Sequence, residues 1–481
     1  MNPLQRQRQL RNTQPEERLN PYQHLYGLRE NPFPSLALFT PSVDDPRRNG
    51  TIYDERFRYV EEREFFQMFV QPPTGDAPRQ LGFVRLDPQA GGRGNGKSAF
   101  LHHVMERINT QQWEDWPGDP QSLDLFALAV HVLPEPREQK RFWQFVFLIF
   151  KTLAERGLFQ KIDEQLRAAI LINLLSEEQA SEVAALPVEQ VEAILQSHER
   201  FSQLLDQYHL TAQAYLDEAE RQLRLIAPTS LNHEFAGWFR AADGSLTALW
   251  EHWQRNGIVG NAIRWRKQGA DWLLNGLVPV LIAAGYQRLF ILLDEFEKIY
   301  IYQTTRERDE FLDALRQYFY ERDSAAVQRQ YISTILTIHP SIYRYLRDNW
   351  VRVGLENLAP LDPQMMSHQS VELGASTREK LTHLLITYLD QFRMEGQDEH
   401  TDTLYPFASD ALEPALDAAR YYPRGTLWYA YTLLHQAASS EIPAPIDREY
   451  VQAFISSTPR PPAAEDENIF TLPLSDSPLQ G

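Results

Sequence analysis

The sequence predicts an α/β fold, a parallel-sheet core interrupted by a long helical insertion and followed by a helical lid. Three observations carry that expectation. A short apolar run, Leu81 to Asp87 (LGFVRLD), leads into the glycine cluster GGRGNGKS and then into a segment of helical character, Ser98 to Ile108. A second apolar run, Leu289 to Leu293 (LFILL), ends in two adjacent carboxylates, Asp294 and Glu295. Between the two lies a long stretch of amphipathic helical pattern rich in Glu, Gln, Ala and Leu, from about Leu158 to Ala241. Strands covered on both faces of a parallel sheet read as continuous apolar runs, which is what both runs show.

The remaining elements follow in chain order. Residues 1–55 form an N-terminal extension whose segment Tyr22 to Leu38 carries NPFP and reads as a turn-rich lead-in. Arg56 to Val70 looks helical and opens the first half of the core, residues 56–157, which also holds a strand at Leu125 to Leu133 and an aromatic-rich helix at Phe142 to Leu153. Residues 158–262 are the helical insertion, with a capping-box start at Ser176 and Gln179. The second half of the core, 263–374, carries the strand Leu289 to Leu293, a helix with Phe311, Leu312, Leu315 and Phe319 at helical spacing, and strands at Tyr331 to Ile338 and Val371 to Leu373. In 375–456, a capping-box pattern at Ser376 and Glu379 precedes helices near Lys380 to Phe392, Ala408 to Ala419 and Gly425 to Ala437. The tail, 457–481, is rich in Pro and acidic residues, a composition that does not fold alone; its NIFTLPL is either a docking segment or inert.

Bulk composition excludes several classes of function. With 481 residues, 43% of them hydrophobic, the chain can bury a core divided into two or three domains. The absence of Cys removes disulfides and thiolate metal sites. A formal net charge of −18 argues against a uniformly basic surface, so any nucleic-acid contact is local. Arg6, Arg8, Arg11 and Arg18 give the start a basic cast, read as a solvated tail. That start lacks an apolar core, so no secretory signal is expected. The apolar stretch Trp272 to Tyr286 contains Asn275 and Pro279 and falls short of the about 20 residues a membrane span needs, so it reads as a buried helix, and a cytoplasmic location without membrane contact is expected.

Gly91, Gly96, Lys97 and Ser98 satisfy the spacing G-x-x-x-x-G-K-[ST] between a buried strand and a helix, where a phosphate-binding loop must lie. The loop Gly91, Gly92, Arg93, Gly94, Asn95, Gly96, Lys97, Ser98 and Ala99 would turn backbone N–H groups inward around phosphate oxygens, aided by the positive end of the helix. Lys97 would reach the β- and γ-phosphates of ATP, and the Ser98 hydroxyl would ligate Mg2+. Asp294 and Glu295 stand at the C-terminal end of an apolar strand, where open α/β sheets bind ligands. There Asp294 would hold the magnesium shell and Glu295 would orient and deprotonate the attacking water, so the pair points to hydrolysis.

With these two motifs the chain resembles P-loop NTPases of the AAA+ type, Gly91 to Ser98 matching Walker A and Asp294 with Glu295 matching Walker B. It is similar to origin-recognition-like ATPases and to those of transposons and defence islands; AGYQRLFILLDEFEKI is similar to the ATP-binding proteins of BREX-type systems. The resemblance covers core and lid but not the insertion. It implies a residue sensing the γ-phosphate at the end of the next strand, where Thr337 and His339 stand; of the two His339 is favoured, its competing reading being a histidine that only caps the turn before Pro340. It implies a lid arginine, Arg424, and an arginine finger donated across a subunit interface, for which Arg344, Arg347 and Arg352 are available and Arg352 fits best. A finger makes the active form a homo-oligomer.

The insertion is either a partner- or nucleic-acid-binding arm or a packing element; long inserted segments in compact domains are usually functional, which favours the arm. The leading expectation is a magnesium-dependent ATPase acting as an oligomeric switch or remodeller on DNA or a DNA-bound partner in a defence or mobile-element system, with a protein partner held by the insertion or the C-terminal tail. The alternative is a signalling or scaffold switch in the style of STAND ATPases. A small-molecule kinase or GTPase fits less well, since no N-K-x-D signature is present.

Overall fold

The computed structural model describes residues 20–36, 39–40, 44–72, 75–86, 96–111, 113–114, 116, 123–135, 137–227, 233–324, 329–339, 342–361, 369–374 and 376–458. The five apolar runs are strands: β1 (Leu81–Leu86), β2 (Ala127–Val132), β3 (Arg288–Leu293), β4 (Ile332–Ile338) and β5 (Ser370–Leu373). They form one sheet in the order β2-β3-β4-β1-β5, and the pairs β2–β3, β3–β4 and β1–β4 are parallel. Every residue of β1, β2 and β4 is buried, which explains why they read as unbroken apolar runs. Parallel neighbours need long crossovers, and helices supply them: Lys97–Asn109 follows β1, while Phe296–Ile301 and Thr305–Arg316 lie between β3 and β4. Parallel register also brings the C-terminal ends of β1, β3 and β4 to one edge, with Arg85 opposite Ile338 and Leu293 opposite Leu336.

The chain divides into two compact units, one made of Met1–Glu61, Leu86–His103 and Leu373–Gly481, the other of Glu62–Arg85 and Val104–Glu372. The second contains the sheet and the insertion. The insertion's helices close on an aromatic core in which Trp265 and Trp272 meet edge-on at 4.9 Å, with Trp253 4.9 Å from Trp272 and Phe147 4.9 Å from Trp265. Such ring pairs add to the area they bury. Asp163, buried on helix Leu158–Leu174, accepts hydrogen bonds from Ser245 Oγ (2.7 Å), Leu246 N (2.6 Å) and Thr247 N (3.0 Å) at the start of helix Leu246–Arg255. Its carboxylate thus closes the open N-terminus of that helix, where negative charge is favoured. Ser176 and Gln179 form the expected capping box. The stretch from Trp272 is helical with a π-turn at Leu273–Leu277, and its Leu273, Leu274, Leu277 and Val278 are buried. Among the described residues no helix is long and apolar enough to cross a membrane.

The first unit unites the N-terminal lead-in with the helices Arg378–Phe392, Glu413–Ala418, Pro423–Ser439 and Arg448–Ser457. The lead-in is more ordered than a run of turns. Pro21–Tyr26 is a short helix with Pro at its first turn, Asn20 as cap and Gly27 in the left-handed conformation (φ 63°) ending it. Leu28 then bridges Arg393, Arg29 N donates to Phe392 O (2.8 Å) and Met394 N to Gly27 O (2.9 Å). Tyr26, Leu28 and Phe33 share one apolar cluster with Leu381, Leu389 and Leu433. In the same unit Tyr53 stacks on His103 at 3.8 Å, on the helix that opens with Lys97.

Two local expectations shift. The cap of helix Arg378–Phe392 is Thr377, accepting from Lys380 N, rather than Ser376 with Glu379; the residue three beyond Thr377 is a lysine, so this is a single cap and no box. The helix Arg448–Ser457 lies where no element was expected. The basic start and the tail beyond residue 458 fall outside the described residues.

Candidate functional site

The acidic pair sits directly after β3. Asp294 N donates to Val132 O (2.9 Å), which continues the β2–β3 ladder by one residue, and the Asp294 side chain is fully buried. On the other side, Leu293 faces Leu336 in β4, so one step further Asp294 meets Thr337. The Thr337 hydroxyl donates to Asp294 Oδ1 at 2.7 Å and accepts from Glu295 N at 2.7 Å, while Glu295 N also reaches Asp294 Oδ1 at 2.8 Å. This closed triangle ties the ends of β3 and β4 together and fixes the Asp294 rotamer. On the β2 side His131 Nε2 lies 3.5 Å from Asp294 Oδ2, both groups buried.

Glu295 adopts φ 48°, ψ 46°, a left-handed conformation that side-chain-bearing residues rarely take. Such a departure costs free energy and is concentrated at functional sites. It turns the chain sharply off β3 into helix Phe296–Ile301, and the half-buried Glu295 carboxylate is ion-paired with Lys298, three residues on.

Of the glycine loop, Gly91 to Asn95 lie outside the described residues. Gly96 has φ 81°, a conformation suited to glycine, and its carbonyl accepts from Phe100 N (2.9 Å), which makes it the entry to helix Lys97–Asn109. Lys97, Ser98 and Ala99 are half-buried in the first helical turn, where N–H groups have no intrahelical acceptor and anions are favoured. An oxygen donor set of carboxylate and hydroxyl suits a hard cation such as Mg2+, which is held through one or two carboxylates together with substrate phosphates. Among the described residues no group of three or more His, Asp or Glu could hold a metal ion by itself.

His339 follows β4 and is half-buried. Arg352 closes helix Tyr343–Arg352, is exposed, and pairs with Asp309 at 2.6 Å; Arg347 is exposed on the same helix, and the side chain of Arg344 lies outside the described residues. Arg424 is the second residue of helix Pro423–Ser439 and half-buried. Sequence reasoning missed His131 and Lys298. The signal for the first was a lone imidazole inside LFALAVHVL; for the second, a cation three residues after Glu295 on a helix.

Strand order, parallel register and the acidic strand end define an α/β fold of the P-loop NTPase kind. The family model described as BREX system ATP-binding protein BrxC/D matches residues 189–370, so the similarity read from AGYQRLFILLDEFEKI extends over part of the insertion, β3 and β4. No curated protein and no solved structure matches the chain.

Proposed function

We propose that the chain is a magnesium-dependent ATPase of the AAA+ class, cytoplasmic, working as an oligomeric switch or remodeller on DNA or a DNA-bound partner in a defence system. The observation that carries this reading is the closed contact of Asp294, Glu295 and Thr337 at the end of β3, in a sheet where β4 lies between β1 and β3. The match to a family of ATP-binding proteins supports it. In this reading Lys97 and the N–H groups of the first helical turn hold the phosphates, and Ser98 and Asp294 hold the magnesium, which neutralises phosphate charge when bound. Glu295 orients a water and takes its proton as the water oxygen attacks the γ-phosphorus, the bond to the bridging oxygen breaks, and ADP leaves. Thr337 keeps Asp294 in place, and His339, Arg424 and Arg352 are the further groups proposed to sense or stabilise the γ-phosphate.

One observation favours the slower, STAND-like switch. The base, Glu295, is engaged by Lys298, so turnover waits until that pair opens. Steady-state ATP hydrolysis by the purified protein with Mg2+, with and without double- and single-stranded DNA, separates the readings. Stimulation by DNA that disappears in Glu295→Gln supports the remodeller; slow turnover with ADP retained supports the switch. In either case Glu295→Gln is expected to keep ATP bound, and Lys97→Ala to lose it. ATP binding that survives Lys97→Ala would sink the phosphate-loop assignment.

A further inference from the structure

We infer that His131 is a positioning residue for the carboxylate of Asp294, holding the oxygen that Thr337 does not. The inference rests on the proposed reading of Asp294 as a magnesium ligand. β2 is otherwise apolar, with Ala127, Leu128, Ala129, Val130 and Val132, and all six of its residues are buried. A small apolar residue would satisfy packing in such a strand, whereas an imidazole brings two polar nitrogens into the sheet interior, a placement that costs free energy unless they are used. The register shows the use. His131 stands opposite Leu292, and side chains two apart on a strand share a face, so His131 and Asp294 lie on the same side of the sheet as diagonal neighbours. The result is the 3.5 Å approach of Nε2 to Oδ2, an ion-pair distance longer than an ordinary N–H···O hydrogen bond.

Asp294 is therefore flanked on both sides: β4 donates the Thr337 hydroxyl to Oδ1, and β2 brings the His131 imidazole close to Oδ2. Rotation of the carboxylate about its last bond moves both oxygens at once, so a contact on each fixes an orientation that neither fixes alone. Groups that orient a metal-ligating carboxylate in this way are worth about 10–100-fold in metal affinity.

The test uses the full-length protein with a non-hydrolysable ATP analogue and Mn2+ as a paramagnetic probe, with Mn2+ retention read by electron paramagnetic resonance. His131→Leu is expected to weaken Mn2+ retention about 10–100-fold, while analogue affinity in EDTA stays at the wild-type value. His131→Gln, which keeps a polar nitrogen of similar reach, is expected to restore most of the loss. A folded His131→Leu that retains Mn2+ like wild type overturns the inference and leaves a core histidine. Should His131→Leu fold poorly, His131→Gln decides: Mn2+ affinity as low as that of Asp294→Asn overturns the inference too. Wild-type protein that retains no Mn2+, or Asp294→Asn that retains it fully, defeats the ligand reading and the inference with it. Loss in Asp294→Asn without loss in His131→Leu defeats the inference alone.

Discussion

Asp294 and Asp163 are both buried carboxylates in the same compact unit, and they are surrounded in different ways. Asp163 spends its oxygens on protein: Ser245 Oγ and Thr247 N on Oδ2, and Leu246 N on Oδ1, all at the mouth of one helix. Burial pushes its pKa up, and these hydrogen bonds oppose that shift. Asp294 stands where three strands converge, and its neighbours Thr337, Glu295 and His131 are themselves polar groups gathered at the strand ends. Burial of a charge therefore does not distinguish structure from function. What surrounds it differs: a helix N-terminus absorbs the charge of Asp163, whereas Asp294 meets the Thr337 hydroxyl, its own neighbour Glu295 N and the His131 imidazole at the strand ends.

The largest expected difference comes from removing each carboxylate in turn. Asp294→Asn should lower Mg2+-dependent turnover by about 100-fold or more while the protein stays folded, since loss of a transition-state contact of about 2.7 kcal/mol is a factor of 100. Turnover within a few-fold of wild type would end the contrast. Asp163→Ala should instead lower the unfolding free energy by about 3 kcal/mol, read from urea denaturation, because three donors lose a charged acceptor; the folded fraction should turn over ATP normally. A turnover defect larger than the folded fraction explains would make Asp163 part of the site.

Thr337→Val tests the intermediate case. Its expected cost is about 10-fold in the Mg2+ requirement for turnover, since the methyl keeps the volume but cannot donate to Asp294. Unaltered Mg2+ dependence would show the triangle to be only a strand tie. The smallest effect is expected at Ser176→Ala, which removes an exposed helix cap in the insertion: about 1 kcal/mol of stability and no change in turnover. A loss of DNA stimulation or partner binding in that variant would give the insertion a role in recognition.

β1, β2 and β4 were legible because every residue in them is buried, so LGFVRL, ALAVHV and ISTILTI needed no partner to declare themselves. Asp294 and Glu295 were legible for the same reason, as charges ending such a run. Helix Pro21–Tyr26 was not, because six residues give too little periodicity to weigh against NPFP just beyond it, and its stability comes from Phe392, Met394 and Ile442 far along the chain. The shift from Ser376 to Thr377 is a one-residue matter of where the helix enters its unit, which local composition does not set.

By itself the sequence determined the chemistry on offer: a glycine-rich loop ending in Lys97 and Ser98, a carboxylate pair after an apolar strand, and a helical insertion between them. Residue types and short spacings carry that information because backbone geometry over a few residues is nearly local. Tertiary structure decided which groups meet. The order β2-β3-β4-β1-β5 sets Thr337 on one flank of Asp294 and His131 on the other. Neither neighbour can be read from spacing, since strand order is settled by how crossovers pack and not by the residues at the strand ends.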